Sequence, residues 1–295
     1  MTNLPPTRRA WLKSQARQVN RLRWLRKART VRASSTSHTR AQALRYIFTD
    51  PELDTFSYEL ANPLELARAL SPITGSSTAE ILALFEEAST DQLLAARIRH
   101  ASRWNFGVKR QPPIGRHLAP YAIARALRPE TVVEIGVRFG LGSVVLLRAL
   151  ERNAAEGRPG ELVGIDIDPY AGVLVPPHIP DWHFVTGSSP DILRVALADR
   201  RVGFVISDSV PDAQVTTAEV IAGLHAAALP LVVMQSGWNL VLPNLCDAAE
   251  IPWVRTVDQP VSHIEAGRQA FFARFDTPEQ VARTIQVAMP RNDAE

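Results

Sequence analysis

Hydrophobic and polar positions along the chain follow two patterns, and the change falls near residue 110. Before it the period is helical. Leu12, Ala16, Val19, Leu22 and Leu25 step by three or four with arginine and lysine on the other faces, so Thr7 to Arg32 is expected to form an amphipathic helix. The stretch from Ala33 to His38, rich in serine, reads as a joint. Helical patterning resumes at Leu64–Leu70. Ser77-Thr-Ala-Glu80 has the form of a capping box opening a helix over Ile81–Ala88, and a third helix is expected near Asp91–Trp104. Gly107–Gly115, with Pro112 and Pro113, marks a boundary.

Beyond it, short β-branched runs alternate with amphipathic helices, which is the pattern of a parallel sheet covered on both faces. Strands are expected at Thr131–Ile135, Leu162–Asp166, His183–Thr186, Val202–Ser207, Leu231–Gln235, Trp253–Val257 and Gln269–Phe275. Helices are expected at Leu118–Leu127, Leu141–Asn153, Pro190–Ala198, Ala213–Ala228, Pro243–Ala249 and Pro278–Ala288. The chain therefore divides into an arm (1–35), a helical cap region (36–110) and an α/β domain (111–295).

Composition narrows the picture. With 295 residues, 46% of them hydrophobic, the chain can bury a full core. No run approaches the about 18 consecutive apolar residues that span a bilayer, and the start has no apolar h-region of a secretory signal. Cys246 is the one cysteine, which excludes an internal disulfide and a cysteine-based metal cluster; a buried role and a reducing, cytoplasmic setting are expected. Charge is uneven. Residues 1–49 hold 12 of the 33 Lys+Arg and no acid, leaving 21 bases against 30 acids, a net of −9, on the rest.

The richest segment is Thr131-Val-Val-Glu-Ile-Gly-Val-Arg-Phe-Gly-Leu-Gly-Ser-Val-Val-Leu-Leu147. An apolar strand carries an acid near its end, turns through glycines and enters a helix whose first N–H groups are free. Gly136, Gly140 and Gly142 lie at intervals of four and two. A dinucleotide fingerprint needs intervals of two and three, and a P-loop needs a following Gly-Lys-Ser/Thr. Neither fits.

The pattern formed by Glu134, Gly136, Gly140 and Ser143 resembles motif I of the class I S-adenosylmethionine-dependent methyltransferases. Four later segments resemble that family in order: Glu161–Pro169, His183–Ser188, Val202–Asp208, and the closing pair Trp253–Val257 with Gln269–Phe275. The resemblance spans about Leu118 to Ala288. It implies a seven-stranded Rossmann-like class I methyltransferase sheet, preceded here by an N-terminal helical region, with S-adenosyl-L-methionine as cofactor. It places Glu134, Gly136, Gly140 and Ser143 at the glycine turn, Asp166 and Ile167 at the ribose, Gly187 and Ser188 by the adenine, and Asp208 near the methyl group. Arg116, on the approach to the first strand beside His117, is placed at the methionine carboxylate. Structural readings stand beside these: Glu134 or Asp208 as a structural acid, Asp166 and Asp168 as turn residues, Ser188 as a helix cap, and Arg116–His117 as an exposed helix start.

The family's small-molecule O-methyltransferases often carry Asp-x-x-His after the fourth strand and an acidic pair after the fifth. Here Asp208-Ser-Val-Pro-Asp212 and Met234-Gln-Ser-Gly-Trp238 stand in those places. Divalent cations want several carboxylate oxygens, so no metal is expected. Asp208 and His263 are the candidates for the catalytic base, with His178 and His183 weighed behind them. The expected function is methyl transfer to a hydroxyl of a small molecule, a natural product or a sugar. Two rivals are kept: an RNA- or ribosome-directed methyltransferase using the basic arm, and a protein that binds the cofactor without transferring methyl. For the arm, packing on its own acidic body or that of a homodimer mate stands beside contact with nucleic acid or an anionic membrane surface.

Overall fold

The computed structural model describes residues 58–102, 113–176, 178–237, 239–261 and 267–288. The basic arm, the 103–112 boundary segment and His263 lie outside them. Three helices come first: α1 (Pro63–Thr74), α2 (Thr78–Thr90) and α3 (Gln92–Ser102). The capping box at Ser77 is present, with the Ser77 hydroxyl accepting from the Glu80 N–H and the Glu80 carboxylate accepting from the Ser77 N–H.

After a 3-10 turn (Gly115–His117), strands and helices alternate as α4 (Leu118–Leu127), β1 (Thr131–Ile135), α5 (Leu141–Ala155), β2 (Glu161–Asp166), β3 (Trp182–Thr186), α6 (Ser189–Ala196), β4 (Val202–Ser207), α7 (Ala213–His225), β5 (Ala227–Ser236), α8 (Val241–Ala248), β6 (Trp253–Val257), β7 (Gln269–Phe275) and α9 (Pro278–Ala288). The sheet order is β3-β2-β1-β4-β5-β7-β6. The first five strands run parallel, and β7 is antiparallel to both neighbours. This is the seven-stranded arrangement expected.

One boundary differs in kind. A helix was expected to reach Ala228, but α7 ends at His225 and β5 starts at Ala227. Consecutive alanines carry no period that separates helix from strand, so pairing of Ala227 with Val202 of β4 decides the state.

The central strands are apolar on both sides because helices cover both faces. One face buries Val132, Phe204, Ile206, Val232 and Met234 in a core shared with α4, α5 and the three N-terminal helices. The other buries Val133, Ile135, Val205, Val233 and Phe271 against α6, α7, α8 and α9, with Cys246 of α8 inside. The period of two along β1 therefore puts Glu134 on the same face as Val132, under α5. A carboxylate is thereby carried into a core layer, which sets up the site. No helix among the described residues is long and apolar enough to cross a membrane.

Candidate functional site

A cavity of about 500 Å³ opens at the carboxyl ends of β1, β2, β3 and β4. Crevices outside the strand ends are where open parallel sheets place ligands. Of the predicted residues it gathers Arg116, Glu134, Gly136, Gly140, Asp166, Ile167, Gly187, Ser188 and Asp208. Ser143 lies one step behind, bonded to Glu134. A larger, mainly apolar cavity between α2, α3 and the turn at Gly115 holds none of them.

Glu134 is buried and accepts a short hydrogen bond from the Ser143 hydroxyl. Burial pushes its carboxyl up to about 8, with the charges of Asp208 and Asp166 adding and the Ser143 bond opposing. Gly142 has to be glycine: a Cβ there would lie 2.2 Å from Glu134 Oε1. Gly136, at φ +95°, brings its backbone so close to the end of β4 that a Cβ would meet the Asp208 carbonyl at 2.3 Å. The glycines thus let the first turn of α5 and the end of β1 approach two carboxylate-bearing strands.

Asp166 ends β2. Its two oxygens accept from the backbone N–H groups of Arg138 (2.7 Å) and Asp168 (2.8 Å), which ties the glycine turn to the second strand. Asp168 instead accepts from the Tyr170 N–H at 3.0 Å, a local turn bond, and does not line the cavity. Ile167 is largely exposed at the rim. Ser188 precedes α6 without any side-chain capping bond, so the helix-cap reading is not realised. Its neighbour Ser189 donates to Glu219 of α7 at 2.5 Å, as Ser207 and Ser209 do at 2.6 Å each. That buried carboxylate pins the loop after β3 to the end of β4.

Asp208 ends β4 and is held by Arg116, whose Nη2 reaches its two carboxylate oxygens at 2.8 and 3.2 Å. Arg116 is therefore not a surface helix-start residue. His117 beside it also lines the cavity. Behind the pair, Arg268 at the start of β7 donates to the Arg116 carbonyl at 2.6 Å and lies 3.8 Å from Asp258. Tyr58 donates to Asp258 at 2.5 Å. His183 pairs with Glu161 at 2.9 Å and does not line the cavity, nor does His178. At the end of β5, buried Gln235 accepts from the Leu242 N–H at 2.6 Å and donates to the Asn239 carbonyl at 2.8 Å. No group of three or more His, Cys, Asp or Glu among the described residues is arranged to hold a metal ion.

A family model described as a methyltransferase domain matches residues 133–230. The match covers about a third of the chain. The matched stretch runs from β1 into β5 and so contains the strand ends that build the cavity. No curated protein matches the chain by sequence. Among solved structures, the chain is similar to an O-methyltransferase from Bacillus cereus in complex with SAH, at 11% identity and TM-score 0.48, over 63% of this chain and 92% of that one. It is also similar to the O-methyltransferase TomG from Streptomyces achromogenes, involved in tomaymycin synthesis and in complex with SAM (17%, 0.42, 62% and 90%). A putative rRNA methylase from Clostridium thermocellum is similar at 10% identity and TM-score 0.40, over 54% of this chain and 94% of that one. Likenesses this faint carry nothing about substrate or residue roles.

S-adenosylmethionine is the cofactor of this class of methyltransferase domain, and the residues present suit it. A diol is met by a carboxylate with acceptor capacity left at Asp166, a cation by the buried acid Glu134, and close approach of the ligand by the glycine turn. Arg138, Phe139, Val210 and Val215 complete the lining without a signal in the sequence.

Proposed function

We propose that the cavity binds S-adenosylmethionine through the residues named above, and that the chain methylates a hydroxyl of a small molecule without a metal. The observation that carries this reading is the convergence of Ser188, Asp166, Glu134 and Asp208 on one cavity from four adjacent strand ends. That order matches an elongated ligand. The loop at Gly187–Ser188 takes the base, the Asp166 carboxylate accepts from both ribose hydroxyls, and Glu134 faces the positive charge. The cofactor supplies an electrophilic methyl group.

What the protein contributes beyond binding is placement, because holding two reactants in line is the larger part of such a displacement. Asp208, with Arg116 on its carboxylate, orients the acceptor side. Arg116 reaches both oxygens of the Asp208 carboxylate, so its role in this reading is positioning. Calorimetric titration with S-adenosylmethionine, S-adenosylhomocysteine and NAD tests the reading. Micromolar binding of the first two with none of NAD is expected, and absence of binding by both overturns it. A second reading, methylation of RNA, is favoured by the 12 bases and no acids of residues 1–49. It predicts transfer to RNA that is lost on deleting residues 1–35.

A further inference from the structure

Residues after β3 and residues after β4 stand at the two ends of the row of strands that lines the cavity, with Gly187, Ser188 and Ser189 at one end and Asp208 and Ser209 at the other. In the sheet, β2 and β1 lie between them. Three strand spacings amount to about 14 Å, and no ladder joins β3 to β4. Sheet hydrogen bonds therefore do not set the gap between these two groups of residues. Glu219 of α7 is where they meet. Its Oε1 accepts from the Ser189 hydroxyl at 2.5 Å and from the Ser209 hydroxyl at 2.6 Å, and its Oε2 accepts from Ser207 at 2.6 Å.

Two observations set Glu219 apart from a helix residue that only packs. It is fully buried, and its three partners are neutral hydroxyls. A carboxylate taken into a core is costly unless its oxygens are bonded, so the serines and the acid hold one another in place. Its delivery is also fixed. Gly223, four residues on and on the same face of α7, packs so closely on β4 that a Cβ there would lie 2.6 Å from Val205 Cγ2. Glu219 therefore faces the end of that strand, where Ser207 stands on the same side as Val205. Asp212 closes the start of the helix by accepting from the Gln214 and Val215 N–H groups at 2.9 and 3.0 Å. Ser189 and Ser209 line the cavity themselves, so a shift of either reshapes it.

We propose that Glu219 is a positioning residue of the cavity: by holding Ser189 and Ser209 on one oxygen, it sets the gap between the loop after β3 and the end of β4, and with it the affinity for the nucleoside end of the ligand. The inference rests on the cofactor reading above. It assigns a role to a side chain that touches no ligand and acts through two serines from separate parts of the chain.

The test is calorimetric titration of the full chain with S-adenosylhomocysteine and with 5′-methylthioadenosine, both of which carry the adenosine, alongside thermal melting. Glu219→Ala is expected to weaken both ligands about fivefold or more, and to the same extent. Glu219→Gln keeps an oxygen that can accept from Ser189 and Ser209 while its amide donates to Ser207, and should bind both ligands within about twofold of wild type. Ser189→Ala is expected to match Glu219→Ala and to add less than about twofold when combined with it. Glu219→Met, which fills the volume without offering an oxygen, replaces the Ala variant in these comparisons should melting show that one unfolded. A lowered melting temperature with unchanged affinity, a loss confined to S-adenosylhomocysteine, a Gln variant as weak as Ala, or a full further loss in the double variant overturns the proposal. Wild-type protein that binds neither ligand overturns the cofactor reading itself, and the role of Glu219 falls with it.

Discussion

Glu134 makes a prediction whose sign and size both follow from its position. It is an acid on a core-facing position of β1, under the first turn of α5, and burial raises it from an ordinary carboxyl value to about 8. In the unfolded chain the group loses its proton near pH 4.5. The folded state therefore holds one more proton than the unfolded state between about 4.5 and about 8. Stability contributed by this site is fully present below that window and falls as pH rises through it. At about 1.4 kcal/mol per pKa unit the whole effect is on the order of 5 kcal/mol. Glu134→Gln keeps the shape and an acceptor for the Ser143 hydroxyl but cannot ionise. Urea unfolding of both proteins at pH 5, 7 and 9 measures the difference directly. The variant should gain on wild type by a few kcal/mol between pH 5 and pH 9. A gap between the two that stays constant over this range would refute the assignment of a raised carboxyl. The same linkage reaches the ligand: a cation bound against Glu134 favours the ionised form, so wild-type affinity for S-adenosylmethionine should rise with pH up to about 8. In the Gln variant that slope should be flat.

Three further outcomes are expected. Asp166→Ala should weaken S-adenosylhomocysteine binding by about 1–3 kcal/mol, measured by titration, since both ribose bonds and the tie to the Arg138 N–H are lost together. Gly142→Ala should destabilise the fold by about 1–3 kcal/mol, measured in urea, because the new Cβ falls 2.2 Å from Glu134 Oε1 and that side chain is locked against Ser143. Methyl transfer should survive a chelator; activity that collapses with chelation and returns with magnesium would show the metal-free reading to be mistaken.

What was legible in the sequence is what is local. Glu134 and the glycine turn after it lie within nine residues of one another. The spacing marked Glu134, Gly136, Gly140 and Ser143 as one turn, and the resemblance implied that Asp166 and Asp208 join it; all but Ser143, which bonds to Glu134 from behind, line one cavity. The capping box at Ser77 is local in the same sense, being closed by side chains three residues apart. Partners were not legible. Arg116 was read towards a ligand carboxylate and lies on Asp208, 92 positions away. Three serines from two separate stretches of chain, at the start of α6 and at and after the end of β4, converge on Glu219, which reads in sequence as one more polar residue of a helix. The start of β5 failed for a different reason: alanine at 226, 227 and 228 is compatible with either period.

The charges around Arg116 explain why the site draws on elements outside the matched residues 133–230. Arg116 and Arg268 are neighbours of like sign, a costly juxtaposition in a buried place unless each has its own anion. Asp208 serves the first and Asp258 the second. Burial raises the Asp258 carboxyl, while Arg268, the Tyr58 hydroxyl and Arg116 pull it the other way. Tyr58 in turn accepts from the Arg268 N–H at 2.8 Å, and its own carbonyl accepts from the Gly115 N–H at 2.7 Å. The turn that carries Arg116 and His117 is thus held by the segment before α1 and by the start of β7. Neither lies in residues 133–230. The strand ends supply the ligand-facing acids, and this second set of residues fixes the one wall of the cavity that the sheet does not build. Changes in the segment at Tyr58 or the start of β7 should therefore be felt at His117 and Asp208 first, ahead of Asp166 and Ser188, whose holding contacts to Arg138 and, through Ser189, to Glu219 lie within residues 133–230.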